Sequence, residues 1–123
     1  MMFKDPKTKR NLDYKKWCLD NRIYELFAID KSSYGDIEKK RKKSIYGSVD
    51  TKNTIPLPAE LDDLIILHFL VRSRKVTTIL EFGVGKSTSV FADALKKNKE
   101  EFGEFVKNNL RRANPFEIHS VDN

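Results

Sequence analysis

Between Ala59 and Ser73 the apolar side chains of Leu61, Leu64, Ile65, Ile66, Leu67, Phe69, Leu70 and Val71 run almost without a break. At helical spacing they cover nearly the whole circumference, which predicts a helix buried on more than one side. Pro58 suits its first turn. Glu60, Asp62 and Asp63 lie near the positive end of its dipole, Arg72 and Arg74 near the negative end. His68 falls inside the apolar run and is expected as a satisfied core histidine. The period then changes: Val76 to Phe82 is expected as a strand. Val90, Phe91, Ala94 and Leu95 form an i, i+1, i+4, i+5 stripe for a helix packed on a sheet, capped by Ser87 or Thr88. A further helix is expected from Lys99 to Arg112, with Phe102, Phe105, Val106 and Leu110 on one side and Gly103 weakening it by roughly 1 kcal/mol. Asn114-Pro115 breaks it. Phe116 to Asp122 alternates as a second strand that ends in an acid.

The first half is less regular. Residues 1–11 are polar, lysine-rich and contain Pro6, and they predict a mobile tail. Trp17, Leu19, Ile23, Leu26 and Phe27 approximate helical spacing within a helix from Leu12 to Ile29, with Asn11 or Asp13 available as its cap. Lys31 to Gly35 has turn character, and residues 47–58 with their two prolines form a linker. The expected division is a basic helical and linker segment over 1–56 and a cofactor-binding domain over 57–123.

Charge sharpens this division. The net charge is +6; residues 1–56 hold 14 Lys and Arg against 8 Asp and Glu, whereas 57–123 hold 10 of each. Lys39-Lys40-Arg41-Lys42-Lys43 has no apolar stripe, so it is either a solvated stretch or a contact for nucleic acid or another anionic partner. Tyr34 and Tyr46 are the only aromatic side chains near it for base stacking. Cys18 is the single cysteine, which excludes an internal disulfide, and His68 and His119 offer no metal-ligand spacing. The apolar run Leu64–Val71 is too short to span a bilayer and residues 1–10 lack an apolar signal core, so no membrane partner and a cytoplasmic location are expected.

The chemistry concentrates in Glu81-Phe82-Gly83-Val84-Gly85-Lys86-Ser87-Thr88, where a strand breaks into a glycine turn and a helix begins. Glycines there let a ligand lie against backbone, and the N–H groups of a helix start point at it. Three ligands compete. Gly85-Lys86-Ser87-Thr88 matches the last half of a phosphate-cradling loop for ATP or GTP, but Leu80 stands where the first glycine belongs and Glu81 would repel a triphosphate. A dinucleotide turn would need glycine at Thr88.

The third is a cationic nucleoside. Glu81, Gly83 and Gly85, followed by Ser87 where a third glycine often stands, resemble the first motif of class I S-adenosylmethionine-dependent methyltransferases. The likeness extends over residues 59–123. It implies an α/β, partial Rossmann-like fold: N-terminal helices, then β-α-α-β, with two parallel strands forming an incomplete sheet. It also implies S-adenosylmethionine as cofactor, with Glu81 near its ammonium, Gly83, Gly85 and Ser87 lining the turn, and Asp122 on the ribose hydroxyls. Gly83 and Asp122 are 39 positions apart, against about 20 in a dinucleotide fold, and the extra helix accommodates the difference. Only two strands of the family's larger sheet are supplied, so the chain resembles the front portion of a methyltransferase. The methyl acceptor and catalytic residues are unassigned. A two-stranded parallel sheet is marginal alone, so a homo-oligomer formed through its open edge is expected. The rival is a binding module without catalysis, using residues 39–43 on nucleic acid or an acidic partner.

Overall fold

The computed structural model describes residues 2–27, 58–110 and 114–122. The basic run 39–43, Tyr34, Tyr46, the turn at 31–35 and all but the last residue of the 47–58 linker lie outside them.

The architecture is mixed α/β with two separate two-stranded sheets. Strands β1 (Met2–Lys4) and β2 (Asn11–Asp13) form an antiparallel hairpin in which Phe3 stands opposite Leu12. Helices α1 (Tyr14–Asp20) and α2 (Ile23–Leu26) follow, then α3 (Pro58–Ser73), β3 (Thr78–Phe82), α4 (Lys86–Asn109) and β4 (Glu117–Val121). No helix among the described residues is long and apolar enough to cross a membrane.

The start of the chain is not a loose tail. Asp5 is fully buried: its carboxylate accepts from the Lys7 N–H (2.9 Å) and the Thr8 hydroxyl (3.0 Å). Arg74, just after α3, donates to the same carboxylate from Nη2 (2.8 Å) and Nε (3.3 Å). The fork of the guanidinium matches the two carboxylate oxygens, which fixes the hairpin turn on the helical body. The single helix expected from Leu12 is also corrected. Leu12 pairs in β2, and Asp13 caps α1 by accepting from the Lys16 N–H (3.1 Å). Arg22, with φ +55°, then breaks α1 from α2 in a conformation no helix continues.

α3 spans its expected range and is wrapped on several sides. Leu61, Leu64, Ile65 and Phe69 share one core with Leu12, Tyr14, Cys18, Ile23 and Phe27 of the N-terminal segment and with Val90 of α4. Val71 turns the other way, joining Ala94 and Leu95, against which Val76, Ile79, Phe91 and Ile118 pack. Burial pushes the Cys18 thiol up to about 11, as for an inert packed cysteine.

The two helices expected over 86–112 are one 24-residue helix, kinked at Phe102 (φ −136°, ψ 20°) beside Gly103. Nothing between Leu95 and Lys99 breaks it. Asn98 instead becomes a buried clamp, donating to the carbonyls of Val71 (3.1 Å) and Val76 (2.9 Å) and accepting from Arg72 Nη1 (2.6 Å). β3 and β4 are parallel, as expected, in register from Thr78 opposite Glu117 to Phe82 opposite Val121. Ile79 and Ile118 face α4, whereas Leu80, Phe82 and Val121 on the other face are 62%, 83% and 51% exposed.

Candidate functional site

The C-terminal ends of β3 and β4 and the start of α4 meet at one place. Gly83 leaves β3 with φ +97°, a backbone region costly for any other residue, and its N–H donates to the Val121 carbonyl (2.6 Å). The turn is thereby tied to the end of β4, where Asp122 follows directly. A Cβ added at Gly83 or Gly85 would meet nothing within 4 Å, so the turn presents open backbone. Gly85, in extended backbone, is the N-cap of α4. The caps expected at Ser87 or Thr88 are corrected by one turn of the chain. Thr88 stands inside the first helical turn, where its hydroxyl accepts from the Gly85 N–H (3.2 Å).

Ser87 and Thr88 are occupied elsewhere. The Ser87 hydroxyl donates to Glu81 Oε2 (2.5 Å), the Thr88 hydroxyl to Oε1, and Ser120, opposite Glu81 in the sheet, to Oε1 at 3.0 Å. Three hydroxyls from two elements therefore hold one half-buried carboxylate. Burial pulls its pKa up, but the three hydrogen bonds together outweigh this and hold it below the ordinary value. Glu81 is consequently an anion at neutral pH. Its donors are all neutral, and no cationic side chain pairs with it among the described residues.

Lys86 is turned away from the turn. Its Nζ lies 3.0 and 3.1 Å from the two carboxylate oxygens of Glu60, bridging the first turns of α3 and α4. A phosphate loop needs this lysine and the Ser/Thr hydroxyl aimed at the ligand and its Mg²⁺. Here Glu60 and Glu81 take both. The five positions singled out in the sequence (Glu81, Gly83, Gly85, Ser87, Asp122) thus fall on one end of one sheet. Thr88 and Ser120 join them through Glu81, while Glu60 holds Lys86 from α3; periodicity carries no signal for these because they act through contacts between separate elements.

His68 stands outside this site. It is fully buried, accepts at Nδ1 from the Trp17 indole N–H (3.0 Å), and meets Asp93 Oδ2 through Nε2 (2.8 Å). Because an indole only donates, Nδ1 must be bare and the proton sits on Nε2. This is the satisfied core histidine expected. Among the described residues no group of His, Cys, Asp and Glu could hold a metal ion. No family model, curated protein or solved structure matches the chain.

Proposed function

We propose that the chain binds S-adenosylmethionine across the C-terminal ends of β3 and β4, as the donor-binding part of a methyltransferase. The observation that carries this reading is the Glu81 carboxylate. It is ionised, is held by hydroxyls with no compensating cation among the described residues, and stands beside the open glycine turn. Such a group attracts the ammonium and sulfonium of the methyl donor and repels a polyphosphate. Three of its lone-pair directions are taken, so it meets the ammonium through the fourth or through one water. Gly83 and Gly85 give clearance, Ser87 keeps Glu81 aimed, and Asp122 accepts from the ribose hydroxyls. Ligands of open α/β sheets lie outside the carboxyl ends of the strands, the end at which these residues gather.

No described residue is assigned as general base or acceptor contact, so the proposal covers donor binding. The bare face and edges of β3 and β4 favour association with a second copy. Calorimetric titration with S-adenosylhomocysteine tests the site: saturable binding is expected, weakened by Gly85→Ala, which adds a methyl to open space. ATP binding abolished by Lys86→Ala, with no response to S-adenosylhomocysteine, would overturn the reading in favour of a phosphate loop.

A further inference from the structure

The N-terminal hairpin carries charge that its own packing does not use. Lys4, Lys7, Lys9 and Arg10 are all exposed, and none pairs with a carboxylate among the described residues. The one acid in the turn, Asp5, is buried and already matched by Arg74. Asp13, on the outward face with Lys4, caps α1.

The turn is also stiff. Asp5 gathers the Lys7 N–H and the Thr8 hydroxyl, the Asp5 N–H donates to the Arg10 carbonyl (3.0 Å), and the Lys9 N–H to the Asp5 carbonyl (2.7 Å). Lys9 sits at φ +56°, held by these bonds. None of the four cationic side chains takes part in the lock, so their charges ride on a fixed backbone. The inward residue Phe3 packs edge-on against Phe69, 6.4 Å between centroids, which leaves the hairpin no aromatic platform for unstacked bases.

We propose that this turn is a docking surface for the phosphate backbone of duplex nucleic acid, engaged without regard to sequence. Four exposed cations carried on this ordered turn over residues 4–10 gain from release of the counterions condensed on a duplex. Without an exposed ring or base-reading side chain, they recognise charge density alone. The surface is separate from the glycine turn, so the proposal stands whether or not a methyl donor binds.

The test is anisotropy of a labelled short duplex titrated with the full chain at several salt concentrations. Engagement of all four cations gives a log–log salt slope with a contribution of about −3.6, or about 0.9 per phosphate. In the Lys4→Gln/Lys7→Gln/Lys9→Gln/Arg10→Gln variant, checked for unchanged circular dichroism, affinity is expected to fall at least tenfold and the slope to flatten by about 3.6. Should that variant fail to fold, Lys7→Gln/Lys9→Gln is expected to remove about half of the slope change. Three results would overturn the proposal: no duplex binding at low salt, a slope unaffected by the hairpin substitutions and lost only on neutralising residues 39–43, or capture by anionic phosphatidylserine vesicles but not by duplex.

Discussion

Glu81 shows how one side chain can be both secured and left charged. A carboxylate held by an arginine would be stabilised and neutralised together; one held by three hydroxyls keeps its field. Glu81→Gln retains the size and most of the hydrogen-bonding capacity but removes the charge. We expect it to weaken methyl-donor binding about 10- to 100-fold, the worth of one charged hydrogen bond, with a melting temperature close to that of the parent. The two glycines separate stability from clearance. Gly83→Ala forces a side chain into φ +97° and is expected to cost about 1–2 kcal/mol in denaturant unfolding. Gly85→Ala meets no neighbour and no strain but puts alanine at the N-cap of α4, so it is expected to cost less than about 1 kcal/mol while reducing ligand affinity. The acid and both glycines were legible because a strand, a turn and a helix start leave a contiguous signature. The hydroxyl of Ser120 and the Glu60 partner of Lys86 were not, since the first is 39 positions from Glu81 and the second 26 from Lys86.

At the scale of elements, α3, β3 and β4 lie where their apolar patterns put them, whereas α4 is one helix where two were expected and residues 1–29 form a hairpin and two short helices where a tail and one helix were expected. α3 follows from eight patterned apolar residues and β3 and β4 from a clear change of period, while their parallel pairing was expected from the β-α-α-β arrangement that the resemblance implies. β1 and β2 have three residues each, too few to alternate visibly, and their stability comes from Asp5 reaching Arg74 across the fold. We expect Arg74→Met to speed hydrogen exchange of the β1 and β2 amides while leaving those of α3 protected. The Trp17, His68, Asp93 and Lys97 contacts join α1, α3 and α4, with Lys97 Nζ bonded to both Asp93 (2.9 Å) and the Asn21 carbonyl (2.7 Å). Burial drives the His68 pKa below its ordinary value of 6.5, against the opposing pull of Asp93. The unfolded chain therefore binds the proton first as pH falls, so stability is full above about 6.5 and declines below it. The Asp93 carboxylate, shifted downward overall although burial alone would raise it, stabilises the fold above its ordinary 3.8 and loses that contribution only near and below it. Urea unfolding between pH 7.5 and 5.0 is expected to show the decline, and His68→Gln to remove most of its slope.

For the whole molecule, the N-terminal segment and α3 share one core, while β3 and β4 hang from α4 by one face only. Leu80, Phe82, Val84 and Val121 remain in solvent, a side that parallel sheets normally bury. Light scattering is expected to show mass rising with concentration, and Phe82→Glu to return the protein toward the monomer. A concentration-independent monomer would refute self-association yet leave the ligand site untouched. That site rests on a choice between charges. The most direct measurement compares the affinity of the intact protein for S-adenosylmethionine with that for 5′-methylthioadenosine, the same nucleoside as a neutral thioether without the sulfonium charge or the amino-acid arm. A preference of at least about tenfold for the cationic ligand is expected, lost in Glu81→Gln. Equal affinities, or saturation by neither compound, would contradict it.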